Sequence, residues 1–321
     1  QSYAQQGTAS PYSFYGIGSL KFKGTVENRS MGRLSIYNDS IHINLRNPAS
    51  YASENLSAPR FNGESRPVKY TVGGGFANLN LKSESSSAKA SSATFNYLAL
   101  SIPVGRFGVG FSILPQTAVG YKLENLNDDG DLINQYKGEG GLNKVNLGIG
   151  YLLAKGLSIG VDANYNFGNI QNNIVEYSYD ADGLILQYQS KEGNRSDLSG
   201  INFNLGLSYK TKINTNLELI SGITYAPESN LTSNNQRIIS TITINSSTGT
   251  EFPVNSFEAN LDALGLKSTD LTLPSRFSFG AGIGKPRSWF VGGEYTAINS
   301  SKFFNPLYSS LTTKYEDGYN V

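Results

Sequence analysis

Residues 157–170 read LSIGVDANYNFGNI. Ile159, Val161, Ala163, Tyr165 and Phe167 take every second position, and Gly160, Asp162, Asn164, Asn166 and Gly168 take the places between. A repeat of two puts the two sets on opposite faces of a β-strand. The fold turns on what the apolar set meets, a packed core or lipid.

Composition bears on that choice. Of 321 residues, 38% are hydrophobic, and no run of about 18 apolar residues occurs, so the sequence contains no candidate membrane-crossing helix. Yet 12% are aromatic, with 20 Tyr and 16 Phe, and glycine numbers 35. Few aliphatic residues with abundant Tyr, Phe, Gly and Asn suit a transmembrane barrel, whose strands face lipid on one side and a polar lumen on the other. The net charge of +1 gives no reason to expect nucleic acid as a partner. The absence of cysteine excludes a disulfide scaffold and a thiolate zinc site. The opening QSYAQQGTAS fits an exported protein whose signal peptide has been cleaved, a cytosolic protein being the other reading.

The alternation recurs at 68–81, 93–102, 107–123, 143–153, 200–210, 216–225, 276–285 and 288–298, most segments being of the nine to eleven residues a tilted membrane strand needs. Short links (104–106, 154–156, 211–215, 285–287) alternate with long ones (82–92, 124–142, 170–199, 226–275, 299–310). Outer-membrane barrels show this parity, with short periplasmic turns and long outer loops. Within the long links, hairpins are expected around 174–189 and 237–252, and a short amphipathic helix over 256–266. Aromatic girdles are expected at both interfaces, with Tyr121, Phe167, Tyr225 and Tyr295 toward the long loops and Phe107, Tyr209 and Trp289 toward the short turns. An open sheet edge in hydrocarbon leaves backbone groups unsatisfied, so the strands must close into a barrel, with Ile159, Val161, Tyr165 and Phe167 facing lipid.

About ten membrane strands fit before Val321, the last candidate being 311–321. Residues 1–66 are too long and too patterned for a tail, and a segment filling a lumen needs a wide barrel. The expectation is therefore a luminal segment over 1–66 and a barrel over 67–321 that lacks its C-terminal strands and has about fourteen when complete.

LRNPASYA (45–52) resembles the Asn-Pro-Ala motif of the FadL/TodX outer-membrane transport proteins, and LTLPSRFSFGAGIGKPRSWFVGGEYT (271–296) is similar to their late strands. The resemblance implies a fourteen-stranded monomeric barrel with an N-terminal hatch, in which Asn47, Pro48 and Ala49 are the hatch motif and Pro274 opens a late strand. SPYSFYGIGSL (10–20) is similar to a Bacteroidota branch of these barrels. One member of that branch, called Plug, closes the translocon of the type 9 protein secretion system.

The resemblance leaves two function classes. One is a non-enzymatic accessory (plug) subunit bound to a large translocon barrel. The other is a FadL-type diffusion channel for hydrophobic small molecules, against which the polar stretches 83–92 and 191–200 weigh. Either would sit in the outer membrane of a Gram-negative bacterium, in contact with its lipid and lipopolysaccharide. An enzyme is not expected: the single histidine, His42, has no cysteine beside it and lies in the segment assigned to the lumen. Asp128, Asp129 and Asp131 lack the later Glu of a calcium loop and read as a solvated turn. No cofactor is expected.

Overall fold

The computed structural model describes residues 8–39, 41–53, 66–82, 87–245, 247–286, 288–305 and 315–321. One antiparallel sheet is built from β1 (Ser19–Leu20), β2 (Lys69–Lys82), β3 (Ser87–Val104), β4 (Phe107–Pro115), β5 (Thr117–Leu126), β6 (Leu132–Ala154), β7 (Leu157–Glu176), β8 (Gln189–Lys212), β9 (Glu218–Ala226), β10 (Ser229–Ile244), β11 (Glu251–Glu258), β12 (Ser268–Leu273), β13 (Arg276–Lys285), β14 (Trp289–Ile298) and β15 (Gly318–Asn320). Helical structure among the described residues is confined to α1 (Val26–Ser30), capped by Thr25, and short 3-10 turns.

Several strands are halves of one wall strand. β4 and β5 flank Gln116 and pair with successive parts of β6. β9 and β10 flank Pro227 and both pair with β8; β12 and β13 flank Pro274 and pair with β10 and β9. Proline has no N–H to give the ladder, so it falls at these breaks. Counted this way the described residues form ten wall strands, in line with the number read from the sequence, and β11 adds a hairpin to β10. β2 and β15 end the row, each with one neighbour among the described residues. Of the expected last strand, 311–314 lie outside the described residues, as do 83–86 of the first long link and 54–65 of the N-terminal segment.

Three readings need correction. Links 124–142 and 170–199 are largely strand: β6 pairs with β7 as far as Asn134↔Glu176. Apolar residues there are few and fall out of alternation, as in Asn172-Asn173-Ile174-Val175, so no apolar period marks the strands. At 20 to 24 residues, β6, β7 and β8 reach on the order of 70 Å, well beyond a hydrocarbon layer of about 30 Å. The helix expected over 256–266 is absent: β11 runs to Glu258, and a single 3-10 turn, Asp262–Leu264, follows and ends at Gly265 in the left-handed region. Of the apolar residues there, Leu261 is buried, while Phe257 and Leu264 are exposed.

Tyr121 is the third. It is 6% exposed and lies in the interior, its hydroxyl 2.9 Å from Asn172 Oδ1 and its ring against Phe14. The pairing Pro115↔Asn143 gives way to Val119↔Gly140, one residue out of register. This bulge at Gln116 exchanges the two faces. The other six expected girdle aromatics are exposed, apart from Phe167, which is half-buried and stacks on Tyr165.

The sheet curls around the N-terminal segment. Lys69 of β2 donates to the carbonyls of Asp39 and His42 (2.9 and 2.8 Å), the Tyr97 hydroxyl of β3 accepts from Val26 N, and Glu294 of β14 accepts from Ser35. One stretch of chain thus touches strands near both ends of the row.

Candidate functional site

Across β6, β7 and β8 the interior face reads as rows of laterally paired residues. Toward the short turns, one row in from Leu152, Ser158 and Ser208, stand Gly150, Gly160 and Gly206, with Gly108 of β4 continuing the row. Next come Gly148, Asp162 and Asn204, then Asn146, Asn164 and Asn202, then Lys144, Asn166 and Gly200. Leu142, Gly168 and Leu198 follow, and Leu142 and Leu198 join Ile17, Val119, Tyr121, Ile170, Leu231, Leu271 and Leu273 in an apolar cluster.

The glycine row is a seat for the chain at 47–52. Pro48–Tyr51 forms a 3-10 turn capped by Asn47: Ala49 N donates to Asn47 Oδ1 at 3.0 Å. Asn47 Nδ2 donates to the Leu207 carbonyl of β8, 3.0 Å. Asn47, Pro48 and Ala49 are all buried. A Cβ on Gly160 would lie 2.5 Å from the Pro48 carbonyl carbon, and one on Gly150 would lie 2.9 Å from Ala52 N. The Tyr51 ring lies over Gly110 and Gly148, and burial pushes its hydroxyl well above the ordinary tyrosine range. Here glycine is needed because backbone meets backbone.

Above that seat, polar bonds join the wall strands to one another and to the segment. Asn146 Nδ2 donates to Asn164 Oδ1 (2.9 Å) and Asn166 Nδ2 to Asn202 Oδ1 (2.8 Å), forming a ladder of amides. Lys23 meets Asp162 at 3.3 Å, and Arg46 meets Glu294 at 3.2 Å. Burial pulls the Arg46 guanidinium below its ordinary value, opposed by the attraction of Glu294. His42 bonds to the Asp39 carboxylate on the same loop.

Ile159, Val161 and Tyr165 are exposed on the outer face, while Ser158, Asp162, Asn164 and Asn166 are buried opposite them. Sequence reasoning singled out Asn47–Ala49 without finding the glycines they lie on. The signal was one glycine near the short-turn end of each of four consecutive wall strands.

A family model, BamG, matches residues 1–321. A solved structure described as the RagAB peptide importer in the 'closed-closed' state matches at 10% identity with a TM-score of 0.34, over 80% of this chain and 32% of that one. The chain thus spans about a third of that protein's length. No curated protein matches.

Proposed function

The chain belongs to the BamG family, Bacteroidota outer-membrane barrel components, and from that premise we propose that it is a non-enzymatic accessory barrel, closed by its own N-terminal segment, that works beside another outer-membrane barrel. In its finer form this is the plug subunit of a protein secretion translocon, in line with the likeness of 10–20 to the Plug branch. The observation that carries it is the filling of the interior: the 47–52 turn sits on four glycines and is tied to the wall by Asn47, Arg46 and Lys23. A seat made by deleting side chains suits an occupant that stays.

The outer faces of Ile159, Val161, Tyr165 and Phe167 would then meet lipid. The second reading, a FadL-type channel for hydrophobic small molecules, is favoured by a partly apolar interior cavity bounded by Leu20, Leu273 and Phe303. Gentle detergent extraction with a tag on this chain separates the two. A stoichiometric large barrel partner is expected, whereas a lone monomer carrying lipid or detergent inside supports the channel.

A further inference from the structure

The interior carries an imbalance of charge that seating the segment does not use. A cavity of about 330 Å³ opens between residues 15–23 and the inner wall. Lys23 and Arg46 line it from the segment, Lys144 from β6 and Arg276 from β13. The two carboxylates behind this surface are engaged, Asp162 by Lys23 and Glu294 by Arg46. The side chains of Lys144 and Arg276 form no ion pair or hydrogen bond among the described residues. Lys144 is 8% exposed, and taking an ammonium out of bulk water without a partner is costly. The Ser229 hydroxyl, also buried and without a hydrogen-bond partner, lines the same space.

We propose that this cavity binds a phosphate group, free or carried by a lipid headgroup, on which Lys144 and Arg276 of the wall converge with Lys23 and Arg46 of the segment. Four cations against two carboxylates leave two positive charges in excess. A phosphate monoester supplies about −1.5 to −2 at neutral pH, which a single carboxylate does not match. Guanidinium groups suit its oxygens, and the hydroxyl and amide donors of Ser229, Thr224 and Asn202 complete a neutral rim. Leu273, Ile298 and Phe303 border the cavity where an ester substituent would lie. Bound there, the anion bridges segment and wall and relieves repulsion among the cations. The inference stands apart from the accessory role and holds for either reading of it.

The test is thermal unfolding and calorimetric titration of the full chain in detergent, with inorganic phosphate, short-chain phosphatidic acid, sodium hexanoate, or chloride at matched ionic strength. Phosphate is expected to raise the unfolding temperature above chloride. A rise with both phosphate and phosphatidic acid supports a site for the free ion; a rise with phosphatidic acid alone supports the headgroup. Lys144→Met is expected to weaken binding about tenfold, the loss of a charge-assisted contact. Arg276→Gln, at an exposed position, gives the same reading if the first variant does not fold. No rise over chloride with either phosphate or phosphatidic acid, unchanged affinity in both variants, or hexanoate bound as tightly as the phosphate ligand would each overturn the proposal.

Discussion

One methyl group is enough to probe the seat of the N-terminal segment. In an ordinary strand, alanine is favoured over glycine by about 0.5–1 kcal/mol. At Gly160 the order should reverse, because the new Cβ meets the backbone of Pro48 rather than a side chain that can move. Gly160→Ala is expected to cost about 1–3 kcal/mol, the range for overpacking. Gly293→Ala, where nothing lies within 4 Å, should be neutral or stabilising. Thermal unfolding of the two variants side by side checks the reversal. Asp39 offers a second test at this scale. Burial pushes its carboxyl up, but bonds from the His42 backbone, the His42 ring and Ile41 N outweigh burial and hold it below its ordinary value. A carboxyl lowered on folding stabilises the loop above its unfolded value, near pH 4, and the contribution fades as pH falls through the folded value. Its charged and titratable neighbours are His42, Tyr37 and Lys69. Protease sensitivity of the 37–45 loop should therefore rise below about pH 4. Asp39→Asn should show that sensitivity at neutral pH, with a flatter acid profile.

Strands obey the alternation of their sequence only while register is kept. In β7 the pattern was legible because every residue from Ser158 to Asn166 alternates without interruption. In β4 and β5 the same reasoning misplaced Tyr121, because the extra residue at Gln116 reverses the faces without altering local composition. The turn at Asn47-Pro48 was also legible, since a cap followed by proline is a local signal. The glycine row was not, because it exists only once four strands are paired in register. With no native cysteine, single-cysteine spin labels test both strands cleanly. Labels at 159, 161 and 165 in liposomes should be accessible to oxygen dissolved in lipid, and labels at 162 and 164 should not. A label at 121 should behave like those at 162 and 164. Oxygen accessibility at 121 matching that at 161 would remove the register shift.

At the scale of the whole molecule, interior charge and interior packing act on the same object, the N-terminal chain. The Pro48–Tyr51 turn is held near the short turns by backbone contact with glycines, and the chain before it is held by Lys23–Asp162 and Arg46–Glu294. The two sets differ in kind: the glycine seat provides close fit with one side-chain bond to the wall, from Asn47 to the Leu207 carbonyl, and the ion pairs provide direction but lie among excess cations. Charge-assisted bonds lost inside a protein cost more than those at its surface, because the abandoned partner stays buried. In the double variant Asn47→Ala, Glu294→Gln the turn loses its cap and its bond to Leu207, while Arg46 loses its counter-charge and is left with Ser35 to share a single amide oxygen. The strands themselves keep every ladder bond. The expected outcome is a folded protein whose N-terminal chain leaves its seat. Planar-bilayer recordings check this: the parent protein should be silent, and the double variant should show flickering ion conductance at unchanged strand content by circular dichroism. Steady conductance in the parent would mean that the segment does not block the interior. Silence in the double variant with intact strands would mean that the glycine seat alone keeps it shut.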